Sequence, residues 1–73
     1  MVKFEEVIFQ NGEIINRSGI IHTINTDDSI AIFDMLRDAL EEHHGTLFEL
    51  EDWGEGYIVY KSGDKYVQLE CIS

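Results

Sequence analysis

The chain has no proline and one cysteine, and only five of its 73 residues are lysine or arginine. Each scarcity excludes something. Cys71, being alone, cannot form an internal disulfide, which fits a reducing compartment. Without proline there is no proline-rich linker, and no internal repeat or low-complexity segment interrupts the sequence, so 1–73 reads as a single compact domain. No apolar run approaches the roughly 18 residues of a membrane helix. The stretch from Met1 to Glu6 carries acids where a secretion signal needs apolar residues, so a soluble, cytoplasmic protein is expected. Lys3, Arg17, Arg37, Lys61 and Lys65 are scattered singly and build no basic patch. Direct binding to DNA, RNA or an anionic membrane is therefore disfavoured.

Motifs for chemistry are missing as well. Gly54-Glu55-Gly56 lies in a hairpin with an acid at its centre and cannot cradle a phosphate. His43 and His44 are adjacent on a helix, where side chains diverge by about 100°, so they do not easily share one ion. Favourable placement at the negative helix C-terminus accounts for them. His22 alternates with Ile20 and Ile24 as a half-buried strand residue, and Cys71 is expected to be a small buried hydrophobe. No catalytic, metal or cofactor residue is assigned, and the expectation is a protein that is not an enzyme.

What the sequence has in excess is acid. Fifteen Asp and Glu give a formal net charge of −10. On the roughly 4,600 Å² expected for this mass, that is on the order of one net charge per 460 Å². Apolar residues at 44% are enough for a folded core, which argues against disorder.

The stretch Thr26 to Gly45 is a helix with both ends marked. Thr26, Asp27 and Asp28 compete for the N-cap, and Gly45 suits the residue just past the C-terminus. At 100° per residue, Ile32, Phe33, Met35, Leu36, Ala39 and Leu40 share one arc, while Asp34, Asp38, Glu41 and Glu42 gather opposite. Val2 to Gln10 and a second arm from Glu13 to Ile24 flank Asn11-Gly12, a strong hairpin signal, with Ser18-Gly19 read as a bulge. Glu6 and Arg17 would form a cross-strand pair. Thr46 to Glu51 is the expected third strand, closed by Trp53-Gly54-Glu55-Gly56. Tyr57 to Lys61 and Tyr66 to Ile72 follow as the fourth and fifth, around Ser62-Gly63-Asp64. The pattern ββαβββ is α+β, one helix on one face of an antiparallel sheet.

Register in the last hairpin has two solutions. A two-residue Gly63-Asp64 loop pairs Tyr60 with Val67 and Ile58 with Leu69, placing Ile58, Tyr60, Val67, Leu69 and Cys71 inside. That leaves Tyr57, Lys61, Tyr66, Gln68 and Glu70 on the open face. A three-residue loop turns Tyr57 and Val59 inward. The first is preferred.

Two surfaces stand out. On the helix, Asp34/Asp38 and Asp38/Glu42 are like-charge i,i+4 pairs, and the dipole opposes Glu41 and Glu42. Arg37 is the helix's one lysine or arginine, whereas a surface shaped by stability would mix in lysine. The face is either simply solvated or a row of carboxylates imitating a phosphate backbone. The second patch is Glu49, Glu51, Asp52, Trp53, Glu55, Tyr57 and Glu70, where carboxylates and aromatic rings could together receive arginine. Alternatively, Trp53 folds over the sheet edge to extend the core.

In size, charge, absence of motifs and α+β pattern, the chain resembles phage-encoded DNA mimics, including anti-restriction and anti-CRISPR proteins. The resemblance is to a class of proteins and lies in general character across the whole chain. It implies an inhibitor of a basic partner, a nucleic-acid-binding protein or nuclease complex, with Asp34, Asp38, Glu41, Glu42, Glu49, Glu51, Asp52, Trp53, Glu55 and Tyr57 as the contact residues. The alternative is a self-associating module, a homodimer through the open face using Trp53, Tyr57, Val59, Tyr66 and Ile72.

Overall fold

The computed structural model describes residues 2–10 and 13–72, with side-chain surroundings for 2–7 and 19–72. The elements are β1 (Val2–Gln10), β2 (Glu13–Ile24), α1 (Ser29–His44), β3 (Glu49–Gly54), β4 (Tyr57–Ser62) and β5 (Lys65–Cys71). They form one sheet in the order β2-β1-β5-β4-β3, antiparallel throughout. The fold is α+β, and α1 is the crossover that carries the chain from one sheet edge, β2, to the other, β3.

The helix ends follow from local chemistry. Asp28 is the N-cap, its Oδ1 accepting from the backbone of Ile30 at 2.9 Å and Ala31 at 3.4 Å. The Thr26 hydroxyl in turn accepts from Asp28 N at 3.1 Å. Gly45 ends the helix at φ 71°, a left-handed conformation that glycine adopts without steric penalty, and its N–H reaches Glu41 O at 2.9 Å.

The core lies between α1 and the sheet. Leu36 and Leu40 descend onto Phe4, Ile24, Ile58, Tyr60, Val67 and Leu69, and Phe48 closes the end from the loop after the helix. Tyr60 is fully buried and its hydroxyl donates to the backbone oxygen of Phe33. Burial pushes the Tyr60 pKa up, Arg37 draws it down, and Asp34 and Asp38 push it up further, so the group is held as a donor. Tyr60 pairs with Val67 and Ile58 with Leu69, the register of the two-residue Gly63-Asp64 loop.

Several expectations are corrected. Met35 is 38% exposed, because a single helix on a narrow sheet buries Leu36 and Leu40 fully and only half-covers Ile32, Phe33 and Ala39. The third strand begins at Glu49 rather than Thr46 and runs through Gly54. The loop before it is tied down, since Phe48 N donates to Glu41 Oε2 at 2.9 Å and the Thr46 and Ser62 hydroxyls lie 3.2 Å apart. Only Glu55 and Gly56 turn the chain, with Gly56 at φ 82°. Cys71 is exposed, the last residue of β5. The β1–β2 register places Arg17 opposite Val7, not Glu6, across the irregularity around Gly19 (φ 75°) that the sequence marks as a bulge. The Asn11-Gly12 turn lies outside the described residues, and Gln10 pairs with Glu13 on either side of it.

On the face away from the helix, Val7 and Val59 are buried. Half-buried Tyr57, Lys61, Tyr66, Gln68 and Glu70 surround them there. Lys61 Nζ lies 5.6 Å from the Tyr66 ring centroid, a cation–π distance, and Gln68 Nε2 donates to Glu70 Oε1 at 3.4 Å.

Candidate functional site

The helical carboxylates fall into two roles. Asp34 and Asp38 have side chains 70% and 74% exposed, with Arg37 at 3.4 Å and 4.0 Å respectively. Glu42 is exposed beside them. Glu41 differs: half-buried, it caps the backbone of Phe48 and so holds the path into β3. Its Oε2 thus has a bond within the chain, which its place on the acidic helix face does not reveal. Of the five lysines and arginines, Lys61 sits over Tyr66 and Lys65 Nζ lies 3.2 Å from His44 Nδ1.

The second patch is divided by the pleat. β3 is an edge strand with all six residues exposed. Trp53 pairs with Ile58 and Leu50 with Tyr60, so both project to the helix side; Asp52 pairs with Val59 and Glu49 with Lys61, on the open side. The register slips between Leu50 and Asp52, leaving Glu51 as the bulged residue. Trp53 remains 58% exposed while packing edge-on against Phe33, centroids 5.8 Å apart. Glu55 occupies the turn and Tyr57 the start of β4. Tyr57 faces Gly54 across the ladder, and a methyl group at 54 would overlap its ring. The structure thus brings Glu51, Asp52 and Tyr57 together around a groove of about 550 Å³, completed by Val59, Tyr66 and Gln68. It separates them from Trp53.

A cluster that the sequence reading did not assemble sits under the helix C-terminus. Glu6, on β1, is fully buried. Its Oε1 is 2.7 Å from His22 Nε2 on β2, and its Oε2 is 3.2 Å from His44 Nε2 in the last turn of α1. The proton positions follow from the partners. The Lys65 ammonium only donates, so His44 Nδ1 accepts and His44 Nε2 carries the hydrogen it gives to Glu6. With Glu6 accepting at Oε1 as it does at Oε2, His22 donates from Nε2. His43 does not share this role; it packs edge-on against His22 and His44 with centroids 6.3 and 5.0 Å away. Strand alternation gave the hint: Glu6 has the parity of Phe4, which points it at the helix.

This cluster is a hydrogen-bonded tie between helix and sheet. The 2.7 Å Glu6–His22 contact is shorter than the ~3.3 Å that two ligands keep around a tetrahedral ion. Among the described residues, no group of three or more His, Cys, Asp or Glu is arranged to hold a metal ion, and no helix is long and apolar enough to cross a membrane. Comparison with protein-family models, curated proteins and solved structures gave no match for this chain.

Proposed function

We propose that this protein binds and blocks a cationic protein surface, and that the surface is one a nucleic acid would otherwise occupy. One observation carries the reading: Asp34 and Asp38 stand exposed with one arginine between them, while Lys61 and Lys65 are engaged by a tyrosine ring and a histidine. Negative charge placed where folding gains nothing from it is available to a partner.

The spacing sets what can be imitated. Asp34, Asp38 and Glu42 recur every four residues, about 6 Å along the helix axis. One DNA strand carries a charge about every 3.4 Å. The helix row alone has roughly half that density, so the acids of the β3 edge are part of the mimicry. The homodimer reading gains less, because Val59, one of its proposed contacts, is already buried within the single chain.

The test is capture by the immobilised protein from a bacterial lysate, elution along a salt gradient, and competition with duplex DNA or RNA. A basic nucleic-acid-binding protein that leaves as salt rises, and is displaced by nucleic acid, is expected. Substituting Asp34→Asn, Asp38→Asn and Glu42→Gln together should slow its association. An unchanged association rate, or binding that tightens with salt, overturns the reading.

A further inference from the structure

We infer that the groove on the open sheet face is a receptor for an arginine side chain of the protein partner; the inference rests on the partner being cationic. Asp52, Val59 and Gln68 are direct neighbours across β3, β4 and β5 and form the central row of the groove. Tyr57 stands two residues before Val59 on β4, and Tyr66 two residues before Gln68 on β5. Because the strands are antiparallel, the two tyrosines bracket that row from opposite ends, about 13 Å apart along the strands.

Buried Val59 gives an apolar floor, the rings give two walls, and Glu51 and Asp52 put carboxylates at the β3 side. A guanidinium suits this combination. Its plane stacks on a tyrosine face while its fork of N–H donors reaches carboxylate oxygens. Lys61, 5.6 Å from the Tyr66 centroid, is the chain's own cation at that ring, so the guanidinium is assigned to the Tyr57 face. An ammonium has no plane to stack and no fork, so the groove distinguishes arginine from lysine, whereas the exposed helical acids respond to charge alone. The bulge at Glu51 brings two successive acids to one groove, where regular alternation would send them to opposite faces. Gly54 leaves the space that the Tyr57 ring occupies.

The test uses the whole chain and two blocked pentapeptides, Gly-Arg-Gly-Arg-Gly and its lysine counterpart, with binding followed by amide chemical shifts at low salt. The arginine peptide is expected to bind at least about threefold more tightly, with shifts centred on Val59 and Gln68. Glu51→Gln with Asp52→Asn should remove that preference; Asp34→Asn with Asp38→Asn should lower both affinities alike and preserve it. Equal affinity for the two peptides, or a preference that survives Glu51→Gln with Asp52→Asn, overturns the inference. The two proposals fail separately. A basic protein captured equally well by the Glu51→Gln, Asp52→Asn variant leaves the cationic-partner reading standing and removes the groove from it. Arginine-selective peptide binding supports the groove even where no nucleic-acid-competed protein is captured.

Discussion

Removing the Glu6 carboxylate should come close to unfolding the domain. At ~0.05–0.15 kcal/mol per residue, a chain of this length has about 4–11 kcal/mol of stability. Glu6→Ala leaves His22 Nε2 and His44 Nε2 without their acceptor, and a buried donor left unmet costs about 1–3 kcal/mol. The two together come to roughly 2–6 kcal/mol, a large share of the whole. Glu6→Gln should cost less, about 1–2 kcal/mol, because the amide can satisfy both rings after one rearrangement. His44, fixed by Lys65, keeps donating to the amide oxygen; His22 switches tautomer and accepts from the amide nitrogen. Urea unfolding at constant pH, read by circular dichroism and Trp53 fluorescence, gives both values. Two-bond nitrogen–proton spectra of the imidazoles report the tautomers directly. A cost below about 1 kcal/mol for Glu6→Ala, or His44 protonated at Nδ1 alone, refutes the reasoning.

Neutralising Asp34, Asp38 and Glu42 as Asn, Asn and Gln should raise the melting temperature at low salt, since each like-charge pair costs a few tenths of a kcal/mol, and added salt should shrink the gain; a lower melting temperature counts against it. Tyr60→Phe should cost about 0.5–1.5 kcal/mol at neutral pH through the lost bond to Phe33 O. The folded-state pKa of Tyr60 is raised, so its contribution is complete below the unfolded value near 10 and is lost as pH climbs beyond it. Alkaline titration should therefore destabilise the native protein more steeply than the Phe variant. Gly45→Ala should cost about 1 kcal/mol in thermal or urea unfolding; nothing lies within 4 Å of the added carbon, so the cost is backbone strain alone, and a neutral result would contradict the left-handed cap.

Much of the architecture was legible because separate signals agreed. Asp28, Gly45 and the arc through Leu36 and Leu40 mark one helix, and Gly63-Asp64 sets the register that buries Ile58, Tyr60, Val67 and Leu69. The third strand was misplaced because Thr46 to Phe48 have strand-like composition, while what holds them is a tertiary bond from Glu41 to Phe48 N. The acidic patches were visible as composition, but their division between faces depends on the slip at Glu51, which no residue type announces. The Glu6–His22–His44 cluster joins residues 16 and 38 positions apart in the chain, and only the completed sheet makes them neighbours.

The last strand in chain order, β5, lies at the centre of the sheet between β1 and β4. Take β5 away and the sheet divides into two ribbons, β1–β2 and β3–β4, each with an unpaired inner border. Docking β5 sets Cys71 opposite Phe4 and brings Ile72 N to within 2.9 Å of Lys3 O, closing almost the whole length of the polypeptide at once. Completing the sheet therefore depends on a long-range pairing, the kind of contact that slows folding. Mutual repulsion among the fifteen carboxylates would oppose border-to-border pairing between two incompletely folded molecules.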